Sequence, residues 1–140
     1  MNVKIGLSDD LEGCFKVRRS VFVDEQGVTE AEEVDGLDDT CLHVLATQDE
    51  APAGTARIQI KGNTAKVGRV CVLSSQRGTG LGAAIMREVV DICKTKQAVS
   101  RVVLGSQIQA MGFYEKLGFR SFGPIYLDAK IEHRDMELNL

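Results

Sequence analysis

The chain has 140 residues, enough for one domain with a real core and too few for two, so a single domain over residues 1–140 is expected. Its residues are 44% apolar and 26% charged, which excludes a disordered chain, and a net charge of -3 argues against a nucleic-acid partner, whose phosphates call for a basic excess. No apolar run approaches the roughly 20 residues that span a bilayer, and the start lacks the charged-then-apolar pattern of a secretion signal. A cytoplasmic protein with no membrane partner is expected.

Val3-Lys4-Ile5-Gly6-Leu7 alternates and predicts a first strand. Asp9 and Glu12 make a capping pair for a helix over about 10–23. The stretch 24–39 is acidic, contains Gly27 and Gly36, and reads as loop with at most a short helix. Strands are predicted over 41–47, from Pro52-Ala53-Gly54 through Ile60, and over 65–73, the last two joined by a turn at Gly62-Asn63. The stretch 74–82 is polar and glycine-rich. A helix then runs to about Lys96, with Leu81, Ile85, Val89 and Ile92 on one face. Val102-Val103-Leu104 predicts a buried strand, 111–117 a helix stopped by Gly118, and 119–122 and 134–138 closing strands. The order β-α-β-β-β-α-β-α-β-β implies a mixed α/β sheet with helices on both faces.

Cys14, Cys41, Cys71 and Cys93 are scattered without a C-x-x-C pair, beside only His43 and His133. A structural zinc needs four converging ligands and usually starts from close pairs, so no metal is expected. Disulfides are not expected in a cytosolic chain. The four thiols read as small apolar fillers.

The chemistry concentrates where a strand runs into Arg77-Gly78-Thr79-Gly80-Leu81-Gly82 and a helix begins. The first N–H groups of a helix lack intrahelical partners and the macrodipole places partial positive charge there. Glycines let those groups approach phosphate oxygens, and an arginine adds a charge suited to phosphate. A pyrophosphate fits. The nucleotide P-loop ends in Gly-Lys-Ser/Thr, which is absent here. Gly78-x-Gly80-x-x-Ala83 matches a loosened dinucleotide fingerprint, but that loop usually follows the first strand, with an acidic residue about 20 positions on. Here the corresponding region near Val102 and Val103 is apolar.

A third reading is Arg-x-x-Gly-x-Gly, carried by Arg77, Gly80 and Gly82. Together with Gly68-Arg69-Val70-Cys71-Val72-Leu73 it resembles motif A of the GNAT superfamily of acetyl-coenzyme A-dependent N-acetyltransferases. Phe113-Tyr114-Glu115-Lys116-Leu117-Gly118-Phe119 resembles the family's motif B. The stretch from Val17-Arg18-Arg19 to Asp24-Glu25-Gln26 resembles the ElaA/YjcF-like branch. So do Glu33-Val34-Asp35-Gly36-Leu37-Asp38 with His43, and Asp128-Ala129-Lys130-Ile131-Glu132-His133. The resemblance covers nearly the whole chain.

That resemblance implies a mostly antiparallel GNAT sheet with one splayed parallel pair. It implies acetyl-CoA as acyl donor, its pantetheine arm paired with Val70, Cys71 and Val72 in the manner of an added strand. Its pyrophosphate would lie on the backbone of Arg77, Gly78, Thr79, Gly80, Leu81, Gly82 and Ala83. Tyr114 matches the family's frequent general acid, and the backbone N–H of Val72 the donor to the oxyanion. Relatives often project a base from the strand before the loop, but the corresponding residues here are Lys66 and Gly68, and neither is a dedicated base. That leaves a water chain or another residue, with Glu33, Asp35 and His43 as candidates. The acidic pair reads first as solvated loop charge and otherwise as a lure for a cationic acceptor, His43 reads first as a structural residue on its strand, and Glu33, His43 and Gln107 are the candidate substrate contacts. Gly105 stands where many relatives carry an asparagine, with Gln107 and Gln109 following it. His133 and Arg134 match the branch without a derivable role.

The expected acceptor is a primary amine of a small molecule or peptide. The other class of reading is a non-catalytic acyl-CoA sensor using the same pocket; transfer of a longer acyl chain is a third. Dimers are common among relatives, which extends the expectation to a homodimer.

Overall fold

The computed structural model describes residues 2–140. Its strands are β1 (Val3–Leu7), β2 (Leu42–Gln48), β3 (Ala51–Lys61), β4 (Thr64–Val72), β5 (Arg101–Gln107), β6 (Arg120–Asp128) and β7 (Ile131–Asn139). Its helices are α1 (Leu11–Arg18), α2 (Glu30–Glu33), α3 (Leu81–Lys94) and α4 (Met111–Lys116). The strands form one sheet in the order β1-β2-β3-β4-β5-β7-β6. Every neighbouring pair is antiparallel except β4 and β5.

The helical periodicity of α3 decides which side of the sheet is the core. Leu81, Ile85, Val89 and Ile92 are all buried, as their shared face requires, and pack with Val44, Ile58, Val67, Val102, Leu104 and Met136 of the strands. Gly54 of β3 is glycine for contact rather than for backbone freedom. A Cβ there would stand 2.6 Å from Ile85 Cδ1 and 3.2 Å from the Cys71 carbonyl oxygen. On the other face, Val17 and Val21 pack with Cys71 in a smaller cluster. Cys14, Cys71 and Cys93 are buried as fillers, and Cys41 is half-buried.

Four elements differ from the expected ones for local reasons. The first helix is regular only to Arg18, after which 19–25 widens, with the Gln26 N–H on Val21 O five residues back. Within the expected loop, Thr29 caps α2 in a reciprocal box with Glu32. Strands β6 and β7 are longer than 119–122 and 134–138. The Gly123-Pro124 dipeptide sits in a register shift between Phe122 and Tyr126, so it bends β6 rather than ending it.

Candidate active site

The parallel pair is short. Partners run from Thr64↔Arg101 to Val67↔Leu104 and stop there. Beyond them β4 continues along β3 alone, through Thr55↔Cys71 and Gly54↔Val72. The cause lies at Arg69, whose φ of +54° puts a non-glycine residue in the left-handed region, beside the register shift between Thr55 and Arg57. Its guanidinium is held by the carbonyls of Glu33 (2.9 Å) and Glu32 (3.3 Å) and by Asp35 Oδ2 (3.3 Å). The α2 segment thereby fastens the bend. The resulting fork opens a cleft of about 540 Å³, lined on one side by 66–72 of β4 and on the other by Leu104, Gly105, Ser106 and Gln107 of β5.

Backbone groups on the inner edge of β4 follow from alternation. The Leu73 N–H donates outward to Ala53 O at 2.9 Å, so the N–H and carbonyl of Val72 face the fork. That carbonyl accepts from Arg77 Nε (3.2 Å) and Nη2 (3.0 Å). Arg77 also grips both oxygens of Glu25, at 2.6 and 2.8 Å. The loop then turns through Gly78 (φ +77°) and Gly80 (φ +87°), conformations that favour glycine. No side chain caps α3, and a Cβ at Gly78 or Gly80 would meet open space. The leading N–H groups of α3 therefore have no competing cap.

Tyr114 lies on α4 and faces the same cleft. It is 7% exposed, edge-on to Phe113 (centroids 5.0 Å apart) and Phe119 (5.9 Å). Burial, with Cys71 beside it, raises its hydroxyl well above the ordinary tyrosine range, so it holds its proton. Burial likewise pushes the Cys71 thiol up to about 12, which makes it a wall and not a nucleophile.

The half of the cleft away from the loop corrects two expectations. Glu33 is not a solvated loop charge. It is 6% exposed and ion-paired to Arg18, which also holds Asp38 at 2.7 Å. Asp35 stays exposed, as expected of a loop charge, but is bound by Arg57 and Arg69. The Arg57 hydrogen bond takes its carboxyl far below the carboxylate range, so it is a poor base. Three arginines and three carboxylates thus knit α1, the α2 segment, β3 and β4 together, because a buried charge is tolerable only when paired. His43 does not reach the cleft. It is buried on β2 with Nε2 2.9 Å from the Asp38 carbonyl oxygen, which makes it structural. Gln107 does line the cleft, donating to Gln26 Oε1 at 2.8 Å and accepting from Gln109 at 2.6 Å. Lys66 and Gly68 line it as well.

Gly105 explains itself in three dimensions. A Cβ there would collide with the hydroxyl of Tyr126, which fills the notch and donates to Asp135 Oδ1 at 2.7 Å. Tyr126 in turn stacks on His133, with centroids 5.9 Å apart and planes 21° from parallel. Sequence reading passed over Tyr126 and Asp135. The signal available was the pairing of β7 with both neighbours, Gly105↔Asp135 and Tyr126↔His133, which appears only once the β6–β7 hairpin is in register.

A family model described as an acetyltransferase (GNAT) domain matches residues 11–140. The chain belongs to the GNAT acetyltransferase family. Among GNAT proteins it is similar to the uncharacterized N-acetyltransferase YjcF of Bacillus subtilis, 36% identical over 129 residues that cover 91% of each chain. The crystal structure of Escherichia coli ElaA superposes with a TM-score of 0.84 at 25% identity, covering 97% of both chains. An acyl-CoA N-acyltransferase from Pseudomonas aeruginosa gives 0.83 at 26%, again over 97% of both. The ElaA/YjcF-like branch expected from the motifs is the one found. GNAT proteins are acyltransferases that use acyl-CoA, and the seven-stranded sheet with one parallel pair is the expected fold.

Proposed function

We propose that this GNAT protein moves an acetyl group from acetyl-CoA to a primary amine, with both substrates held together in the forked cleft. The observation that carries the reading is the unpaired inner edge of β4 after Val67, which ends beside an uncapped helix start. An extended amide-bearing chain pairs with such an edge as an extra strand would. Val70, Cys71 and Val72 would hold the pantetheine arm, and the backbone of 77–83 the pyrophosphate.

Acetyl-CoA would supply an activated acyl carbon and a thiolate leaving group. The Val72 N–H, directed into the fork by strand alternation, is suited to an oxyanion forming there. Tyr114, kept protonated by burial, is suited to protonate the departing sulfur. The amine would enter from the half lined by Tyr126, Asp128 and His133.

Calorimetry with coenzyme A, followed by thiol release with acetyl-CoA and a panel of polyamines, amino acids and peptides, tests this. Binding in the micromolar range and amine-dependent release are expected. Binding without release from any amine would favour an acyl-CoA sensor, and no binding at millimolar concentration would remove both readings.

A further inference from the structure

Amine attack needs a proton acceptor, because an ammonium has no lone pair. The strand before the loop offers only Lys66 and Gly68. The carboxylates around the cleft are occupied or poorly suited. Glu33 is ion-paired to Arg18, Asp35 is bound by Arg57 and Arg69, and Glu32 accepts from the Thr29 N–H and hydroxyl. Asp128 lies exposed at the rim, where it can attract a cation. Burial and then the bond to Asp135 raise the Tyr126 hydroxyl, which keeps its proton.

His133 is different. It is half-buried in the cleft wall, directly across from Gln107 at the open end of β5 and stacked, offset, on Tyr126. Its Nδ1 lies 2.7 Å from the Ile131 carbonyl oxygen. A carbonyl only accepts, so Nδ1 must carry the hydrogen, and in the neutral ring the lone pair then sits on Nε2. Among the described residues Nε2 has no hydrogen-bond partner. The Gly105 notch contributes as well. It leaves room for Tyr126, whose ring stands offset beside the imidazole with planes 21° apart and whose hydroxyl is anchored on Asp135.

We infer that His133 is the general base of the acetyl transfer, taking a proton from the acceptor ammonium at Nε2, directly or across one water. The inference rests on the acetyltransferase reading. One N–H bond of the ammonium breaks, an Nε2–H bond forms, and the imidazolium later returns that proton to solvent. The freed lone pair forms the new C–N bond. On collapse the C–S bond breaks, sulfur takes the Tyr114 proton, and the second proton shed by nitrogen replaces it through water. One proton is released per transfer, as conversion of an ammonium to an amide requires.

The test uses two simple nucleophiles and two variants. Propylamine is protonated at neutral pH; methoxyamine is not. His133→Asn keeps a donor for the Ile131 carbonyl and His133→Gln does not, but neither supplies a base. With propylamine, thiol release should fall on the order of 100- to 10,000-fold in both variants, the usual range for a lost general base. With methoxyamine the fall should stay below about tenfold, since no proton must be removed before attack. Coenzyme A affinity by calorimetry should be unchanged, which also certifies folding. Equal losses with both nucleophiles, no loss with either, or a parallel loss of coenzyme A affinity would overturn the assignment and leave the acetyltransferase reading standing. A wild-type protein that releases no thiol with either nucleophile or with any amine of the panel above would remove that reading and this inference together.

Discussion

Arg77 and Glu25, 52 residues apart in sequence, meet in a two-ended ion pair of 2.6 and 2.8 Å that ties the phosphate-type loop to the widened end of the first helix. The same guanidinium rests on the Val72 carbonyl, so one side chain touches the loop, the fork and the helix cap together. Its hydrogen bond lowers the Glu25 carboxyl below its usual range. Both partners are solvent-exposed, so the pair adds little to stability, and a pyrophosphate can compete for Arg77. Two opposite effects on coenzyme A affinity follow. Arg77→Ala should weaken binding about tenfold or more, the range of a lost charge-assisted bond. Glu25→Gln should tighten binding severalfold by removing both the competitor and a nearby negative charge. Calorimetry at low and moderate salt reads both. Tighter binding in Arg77→Ala would sink the role given to that residue.

Tyr114 offers a kinetic prediction. Since it lines the cleft and sits among Phe113 and Phe119, Tyr114→Phe removes one oxygen and little packing. It should lower kcat on the order of 100-fold while coenzyme A affinity stays within about twofold. Pre-steady-state measurement should establish that chemistry limits the rate. An unchanged kcat under that condition would show that sulfur leaves without help from this residue.

The parts of this molecule legible in the sequence are those set by short-range periodicity and by turn residues. The α3 face and the Gly62-Asn63 hairpin follow from spacing and from glycine's freedom at φ +59°. The fork between β4 and β5 came only through resemblance, because nothing local in Gly68-Arg69 announces that an arginine will adopt φ +54°. That conformation is held by carbonyls more than 30 residues away. The turns at Asp49-Glu50 and Ala129-Lys130 hide for a similar reason. Each places two ordinary residues at positive φ without glycine. With no glycine to mark the second turn, the expected strands stop short of the observed β6 and β7 and do not reveal the register that joins Gly105, Tyr126, His133 and Asp135. The α2 cap was readable, since Thr29-x-x-Glu32 is a capping-box spacing. Burial of Glu33 was not, because its partner Arg18 lies on another helix.

The notch at Gly105 makes a stability prediction that tests its geometry directly. Gly105→Ala must displace the Tyr126 hydroxyl and disturb its bond to Asp135, so it should cost about 1–3 kcal/mol. Tyr126→Phe removes the obstructing oxygen and leaves the ring 3.6 Å from the new Cβ, an ordinary contact. In the double variant the alanine should cost less than about 0.5 kcal/mol beyond Tyr126→Phe alone. Urea unfolding of all four proteins closes this cycle. Additive costs would show that the two sites do not meet as described.

The arginine–carboxylate network predicts how stability responds to acid. Arg57 is 8% exposed and serves both Asp35 and Asp38. The Arg57 hydrogen bond lowers the Asp35 carboxyl. Burial works to raise Asp38, but bonds and charge from Arg18 and then Arg57 bring it below its usual value. A carboxyl depressed in the folded state adds stability above its unfolded pKa of roughly 4, and that stability is lost as pH falls through the folded value. The wild type should therefore keep its stability down to about pH 5 and lose it progressively below about pH 4. Arg57→Met should cost about 3 kcal/mol at neutral pH by leaving buried charge under-compensated. That deficit should shrink on acidification, because protonating Asp35 and Asp38 removes the charge that Arg57 had balanced. Denaturant titrations near neutrality and below about pH 4 measure both slopes. A deficit that stayed constant across that interval would mean Arg57 matters through packing of its stem and not through its charge.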